Sequence, residues 1–131
     1  MCQFEGDIMK SENQKLVPLK FIRIAKDMLT KDMAEKFGVA SSYISEVETG
    51  RRDLNNIHKI RYGLGNLNIS LNDYLELLYF CEQVEKMELN YSFAYKIVLM
   101  KAIGIVNPDL KEKSEKTILK YIPNNNTTYS R

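Results

Sequence analysis

Apolar residues recur at three- and four-residue spacing along most of the chain, and this spacing predicts an all-α protein. A first helix is expected from near Pro18, a favoured first-turn residue, to about Met28, with Phe21, Ile24, Ala25 and Met28 facing inward. Thr30 is placed to cap a second helix whose inner face is Met33, Ala34 and Phe37 and which Gly38 stops. Val39 pins the turn. Ala40 and Ser41 then open a third helix, with Ile44, Val47 and Glu48 inward and Gly50 at its end. Its other face keeps Ser41, Ser42, Ser45, Glu46 and Thr49. A fourth helix, about Asn56 to Leu67, turns Ile57, Ile60, Leu64 and Leu67 inward. Gly63 and Gly65 inside it cost roughly 1 kcal/mol each relative to alanine, so either a neighbour packs closely there or the helix is irregular.

Asn68 stops that helix and Ser70 caps a fifth, from Leu71 to about Met87. The fifth carries two apolar stripes, one of Leu71, Tyr74, Leu75, Leu78 and Cys81 and one of Leu77, Phe80, Val84 and Met87. A helix apolar on two faces must bury both. The first closes the N-terminal half; the second needs the C-terminal region or a second subunit. Asn90 to Ile103 forms a further helix, with Phe93, Ile97 and Met100 on one stripe and Ala94, Val98 and Ala102 beside it. Asn107-Pro108-Asp109 starts a last one, followed by Leu110, Thr117, Ile118 and Tyr121 and ended by Pro123. Residues 1–16 lack periodicity and read as a flexible arm, and 124–131 as a polar tail.

The stretch Thr30 to Gly50, TKDMAEKFGVASSYISEVETG, carries a dense pattern. With its neighbours it runs Leu29-Thr30-Lys31-Asp32-Met33-Ala34-Glu35-Lys36-Phe37-Gly38-Val39-Ala40-Ser41-Ser42-Tyr43-Ile44-Ser45-Glu46-Val47-Glu48-Thr49-Gly50-Arg51-Arg52. It resembles the helix-turn-helix domain of the Cro/C1-type (XRE-like) transcriptional regulators, whose pattern is roughly L-S/T-Q-x-x-L-A-x-x-x-G-V-S-x-x-x-I-S-x-x-E-x-G-x-R. Leu67-Asn68-Ile69-Ser70-Leu71-Asn72-Asp73-Tyr74 is similar to the family's L-G-V-S-L-D-E-L joint between its last two helices. The resemblance covers about residues 18 to 77. Two departures stand out: Lys31 occupies the usual glutamine position, and Asp27-Met28 replaces the glycine before the second helix.

The resemblance implies a five-helix lambda-repressor-like DNA-binding domain at residues 17–77, with a helical dimerisation or regulatory extension at 78–123. It implies that the third helix, about Ser41 to Thr49, enters the major groove of double-stranded DNA. Ser41, Ser42 and Glu46 are then the expected base readers, since serine gives or takes a hydrogen bond and a carboxylate accepts from a cytosine amine. Tyr43 reaches a phosphate or a thymine methyl. Lys31, Arg51, Arg52 and Asn55 hold the backbone, and Asn55 or Asn56 caps the fourth helix. In this family a first-helix arginine pairs with the acid at the Glu48 position, so Arg23 is the expected partner of Glu48, with Lys26 the alternative register. A homodimeric repressor or activator is implied, joined through Leu77, Phe80, Val84 and Met87 and the helices after them.

Composition shifts this picture modestly. Net charge is only +2 in 131 residues, too weak to identify a nucleic-acid binder. The excess is uneven: residues 15–61 hold ten Lys/Arg against six Asp/Glu, and the rest nine against eleven. Cys2 and Cys81 form neither a disulfide framework nor a metal pattern, and a reduced, cytoplasmic setting fits them best. Neither a membrane span nor a signal peptide is expected. His58, the only histidine, reads as a surface residue. With no glycine-rich phosphate loop, ligand cluster or nucleophile constellation, neither an enzyme nor a cofactor is expected. The rival reading is a protein-binding module on the same fold: an antitoxin, an anti-repressor or an inhibitor of a nucleic-acid machine.

Overall fold

The computed structural model describes residues 15–122, so Cys2, nearly all of the expected arm, Pro123 and the expected tail lie outside the described residues. The described residues are all-helical: α1 Pro18–Ala25, α2 Thr30–Phe37, α3 Ser41–Glu48, α4 Ile57–Leu67, α5 Leu71–Lys86, α6 Tyr91–Val106, a 3₁₀ turn Pro108–Leu110 and α7 Lys111–Tyr121. α2 lies between α3 and α4, and α6 lies among α1, α5 and α7. No helix among the described residues is long and apolar enough to cross a membrane.

The helix ends follow from local chemistry. α1 stops three residues before the expected Met28, because Asp27 takes a left-handed conformation at φ 57°. The Met28 N–H then closes the end on the Arg23 carbonyl at 3.0 Å. α2 begins one residue earlier in the capping sense than expected. Leu29 stands at its cap, with its N–H on the Asp32 carboxylate at 3.1 Å, and Thr30 is the first helical residue. Gly38, at φ 68° and ψ 37°, ends α2 as expected, and Val39 donates back to Ala34 at 3.0 Å. The Asn56 side chain accepts from the N–H groups of His58 and Lys59, which makes Asn56 rather than Asn55 the cap of α4. Asn68 (φ 61°) ends α4, and Ser70 Oγ accepts from Asp73 at 3.0 Å to start α5. Asn90 does the same for α6, accepting from Ser92 and Phe93.

α4 stays regular through both glycines. At Gly63 an added Cβ would stand 2.2 Å from the Phe37 ring, so the absent side chain is what lets α2 and α4 meet. Gly65 faces open space.

The second apolar stripe of α5 corrects an expectation. Leu77, Phe80 and Val84 are buried and Met87 is half-buried within the chain itself. The stripe meets α1 and α6, so the C-terminal region covers it, the first of the two covers expected, and Leu77, Phe80 and Val84 are not free to join a second copy. The core face of α5 is Tyr74, Leu77, Phe80, Cys81 and Val84, whereas Leu75, expected inward, is 46% exposed. α6 makes this possible. Ala94, Ile97, Val98, Ala102 and Ile105 are all buried, so the helix is apolar on most of its circumference. Phe21 of α1 meets Tyr95 edge-on at 5.0 Å between ring centroids. Gly104 allows α7 to approach, with Lys111 Cα and Ser114 Cβ at 3.2 and 3.3 Å from where its Cβ would be. The core forms one cluster from Leu16 to Ile122, and the expected boundary after residue 77 falls inside α5. Leu16, expected in a loose arm, is buried, with its N–H on Glu85 Oε2 at 2.7 Å.

Lys101 of α6 ties three helices together. Its ammonium lies 2.6 Å from Glu76 of α5, 3.9 Å from Glu115 of α7 and 5.5 Å from the Phe80 ring centroid. The hydrogen bond from Lys101 holds the Glu76 carboxyl below its usual range, against the opposing effect of burial. A carboxyl whose folded value is depressed adds stability above its unfolded value, and that stability is lost as pH falls through the folded one. Urea titrations of wild type and Glu76→Gln should therefore differ at pH 7, and the difference should close as pH falls below about 4. A difference that persists unchanged into acid would mean that the carboxylate–Lys101 contact is not its source.

Candidate functional site

The outer face of α3 is built on an ion pair beneath it. Ile44, Val47 and Glu48 point inward and are buried. Arg23 Nε donates to Glu48 Oε2 at 2.7 Å, Nη2 to Oε1 at 3.1 Å, and Nη1 to the Met28 carbonyl at 2.8 Å. Arg23, rather than Lys26, is thus the partner of Glu48. The guanidinium meets both carboxylate oxygens and the open carbonyl after α1, so a charge only 8% exposed is matched on every side. This pair fixes the roll of α3 and leaves its other face in solvent.

Ser41, Ser42 and Ser45 are exposed on that face. Lys31 on α2 and Arg51 and Asn55 in the loop after α3 are exposed as well. Three of the expected site residues, Tyr43, Glu46 and Arg52, are drawn together. Arg52 Nε donates to Glu46 Oε1 at 2.8 Å, and the Arg52 guanidinium carbon stands 4.8 Å from the centroid of the Tyr43 ring. Thr49 Oγ1 bonds back to the Glu46 carbonyl at 3.1 Å, which closes the end of α3. The loop is held against α3 by Arg51 and Arg52 N–H groups on the same Glu46 carbonyl. Glu46, expected to read a base, and Arg52, expected to hold a phosphate, therefore hold each other.

One residue of this cluster escaped sequence reasoning. Lys59, in the first turn of α4, puts its ammonium 4.8 Å from the Tyr43 centroid. Its signal was a basic residue one turn beyond the Asn56 cap, and nothing in the spacing ties that turn to Tyr43. His58, beside it, is exposed.

Behind the C-terminal end of α3 lies a groove of about 250 Å³ with Leu16, Val47, Leu54, Tyr74, Leu78 and Glu82 among its lining residues. Burial pushes the Tyr74 phenol up to about 12, so it is a neutral donor at physiological pH. Burial also pushes up the thiol of Cys81, with the Glu85 and Glu82 charges adding to it. Cys81 is consequently a thiol rather than a reactive thiolate at neutral pH. The exposed groups over α3 are hydroxyls, a carboxylate and permanent cations, an equipment for hydrogen bonding and ion pairing. No group of three or more His, Cys, Asp or Glu among the described residues is arranged to hold a metal.

No family model, curated protein or solved structure matches the chain.

Proposed function

We propose that the protein is a sequence-specific regulator that binds double-stranded DNA, of the Cro/C1-type (XRE-like) kind, with α1–α5 as a lambda-repressor-like domain. The observation that carries this reading is the outer face of α3: three exposed serines on a helix whose roll is set by the Arg23–Glu48 pair, flanked by exposed Lys31 and Arg51. Small hydroxyl side chains let a helix axis approach base edges closely. In the proposed complex α3 lies in the major groove, Ser41 and Ser42 meet base edges, and Lys31, Arg51, Arg52 and Asn55 meet the sugar-phosphate backbone. A single such helix makes few base contacts, so we propose that two copies bind a palindrome. Their contact lies elsewhere than Leu77, Phe80 and Val84, which the chain buries itself. The regulatory sense, repression or activation, follows from where the operator lies.

A second reading, a protein-binding module, draws on the Glu46–Arg52 pair. It neutralises two of the charges nearest the outer face of α3, and a protein surface tolerates a neutral face better than DNA does.

Selection of random duplex DNA by purified protein at two salt concentrations separates the two. The DNA reading expects an enriched palindrome and an affinity that falls steeply with salt. Arg51→Ala should weaken binding to all sequences and flatten the log–log salt slope by about one if it meets one phosphate. No enrichment and no salt-sensitive binding would transfer the case to the protein-binding reading.

A further inference from the structure

We infer that Tyr43, Arg52 and Lys59 form a phosphate clamp, and that a DNA phosphate entering it releases Glu46 for base contact. This inference rests on the DNA reading and adds to it both a residue, Lys59, and an order of events. Two cations lie 4.8 Å from the centroid of one half-buried tyrosine ring. A ring quadrupole attracts each of them at that range, but two like charges gathered at one ring also repel one another. One carboxylate, Glu46, partly answers them, through Arg52 alone. Lys59 makes no ion pair among the described residues. The cluster is therefore one anion short, and the two exposed chain neighbours of Arg52, Arg51 and Asp53, offset one another.

The position of the cluster says which anion completes it. Tyr43 and Glu46 lie on α3 itself, Arg52 in the loop that follows and Lys59 in the first turn of α4. A duplex that receives α3 in its major groove brings its flanking backbone past that loop and that turn. A phosphate there has three acceptor oxygens, enough for a guanidinium and an ammonium together. The Arg52–Glu46 bond is easily given up: the two side chains are 49% and 39% exposed, in the range where an ion pair contributes little. Arg52 then turns from Glu46 to the phosphate while the Tyr43 ring keeps it in reach. Glu46, freed, faces the groove as a bare acceptor, suited to a cytosine amine. In the free protein Glu46 is masked, which keeps a carboxylate from repelling DNA during approach. Backbone grip and base reading are thus coupled through one arginine.

The test is the salt slope of duplex binding for the full chain and three variants, each checked for an unchanged helical spectrum and melting curve. Lys59→Ala and Lys59→Gln should each flatten the log–log slope by about one. Tyr43→Leu removes the ring that keeps both cations in reach and should lose about tenfold in affinity with the slope retained. If the wild type binds with a steep slope and neither Lys59 variant changes it, the clamp is overturned and the DNA reading stands. If the wild type shows no salt-dependent binding, the DNA reading fails and the clamp fails with it.

Discussion

Arg23→Ala lowers the stability of the protein by about 3 kcal/mol, the order expected when one partner of a buried ion pair is removed. For a chain of this size the melting temperature falls by roughly 10 °C. The loss has two sources. The Glu48 carboxylate, 8% exposed, loses the guanidinium that meets both its oxygens. The Met28 carbonyl also loses its donor at 2.8 Å. Glu48→Ala is expected to cost a similar amount, because it strands the guanidinium. The paired replacement Arg23→Met with Glu48→Leu should recover most of either loss, since an apolar contact carries no desolvation penalty. Urea unfolding of the four proteins measures each loss and the recovery. A single variant within about 0.5 kcal/mol of the wild type would show that the pair does not hold α3 to α1.

Gly63→Ala and Gly65→Ala should move stability in opposite directions although the two positions lie on one helix. At Gly63 the new methyl meets the Phe37 ring at 2.2 Å, and a ring packed between helices cannot swing away without moving α2. Overpacking of this kind costs about 1–3 kcal/mol and more at so short a distance. The gain in helix propensity returns about 1 kcal/mol, which leaves a net loss of about 2 kcal/mol. At Gly65 nothing lies within 4 Å, so only the propensity gain remains, about 0.5–1 kcal/mol of stabilisation. Phe37→Leu should relieve part of the Gly63→Ala loss and none of the Gly65→Ala effect. Thermal melts of equal sign for the two alanines would contradict the α2–α4 packing.

The helices themselves were legible because their signals are local. Gly38, Asn68 and Ser70 punctuate the chain through backbone and capping preferences that need no tertiary partner. The end of α1 was less so: periodicity continues through Met28, and only the left-handed Asp27 stops it. At α5 the two stripes are buried or half-buried as expected except at Leu75, and that exception has a different reason. Leu75 and Leu77 are equally apolar, and the choice between them depends on where α6 lies, which no short window of sequence contains. The same limit applies at the candidate site. Exposed Ser41, Ser42, Lys31 and Arg51 follow from helix phase alone, whereas the Glu46–Arg52 bond and the place of Lys59 beside Tyr43 depend on how the loop after α3 folds back. Gly63 was flagged by its cost in a helix, and the ring of Phe37 supplied the reason.

The contact between Phe21 and Tyr95 bears on how the protein is made. α1 is among the early helices to leave the ribosome, yet α6, which covers its inner face, is synthesised roughly seventy residues later. At about 5–20 residues per second the nascent chain spends roughly 4–15 s with Phe21 in water. During that interval the half that carries α3 has all of its own residues but not its floor. Its residues can form helices and pack α2 between α3 and α4 early, but the inner face of α1 is covered only when α6 arrives, so the part of the protein read first is completed by the part read late.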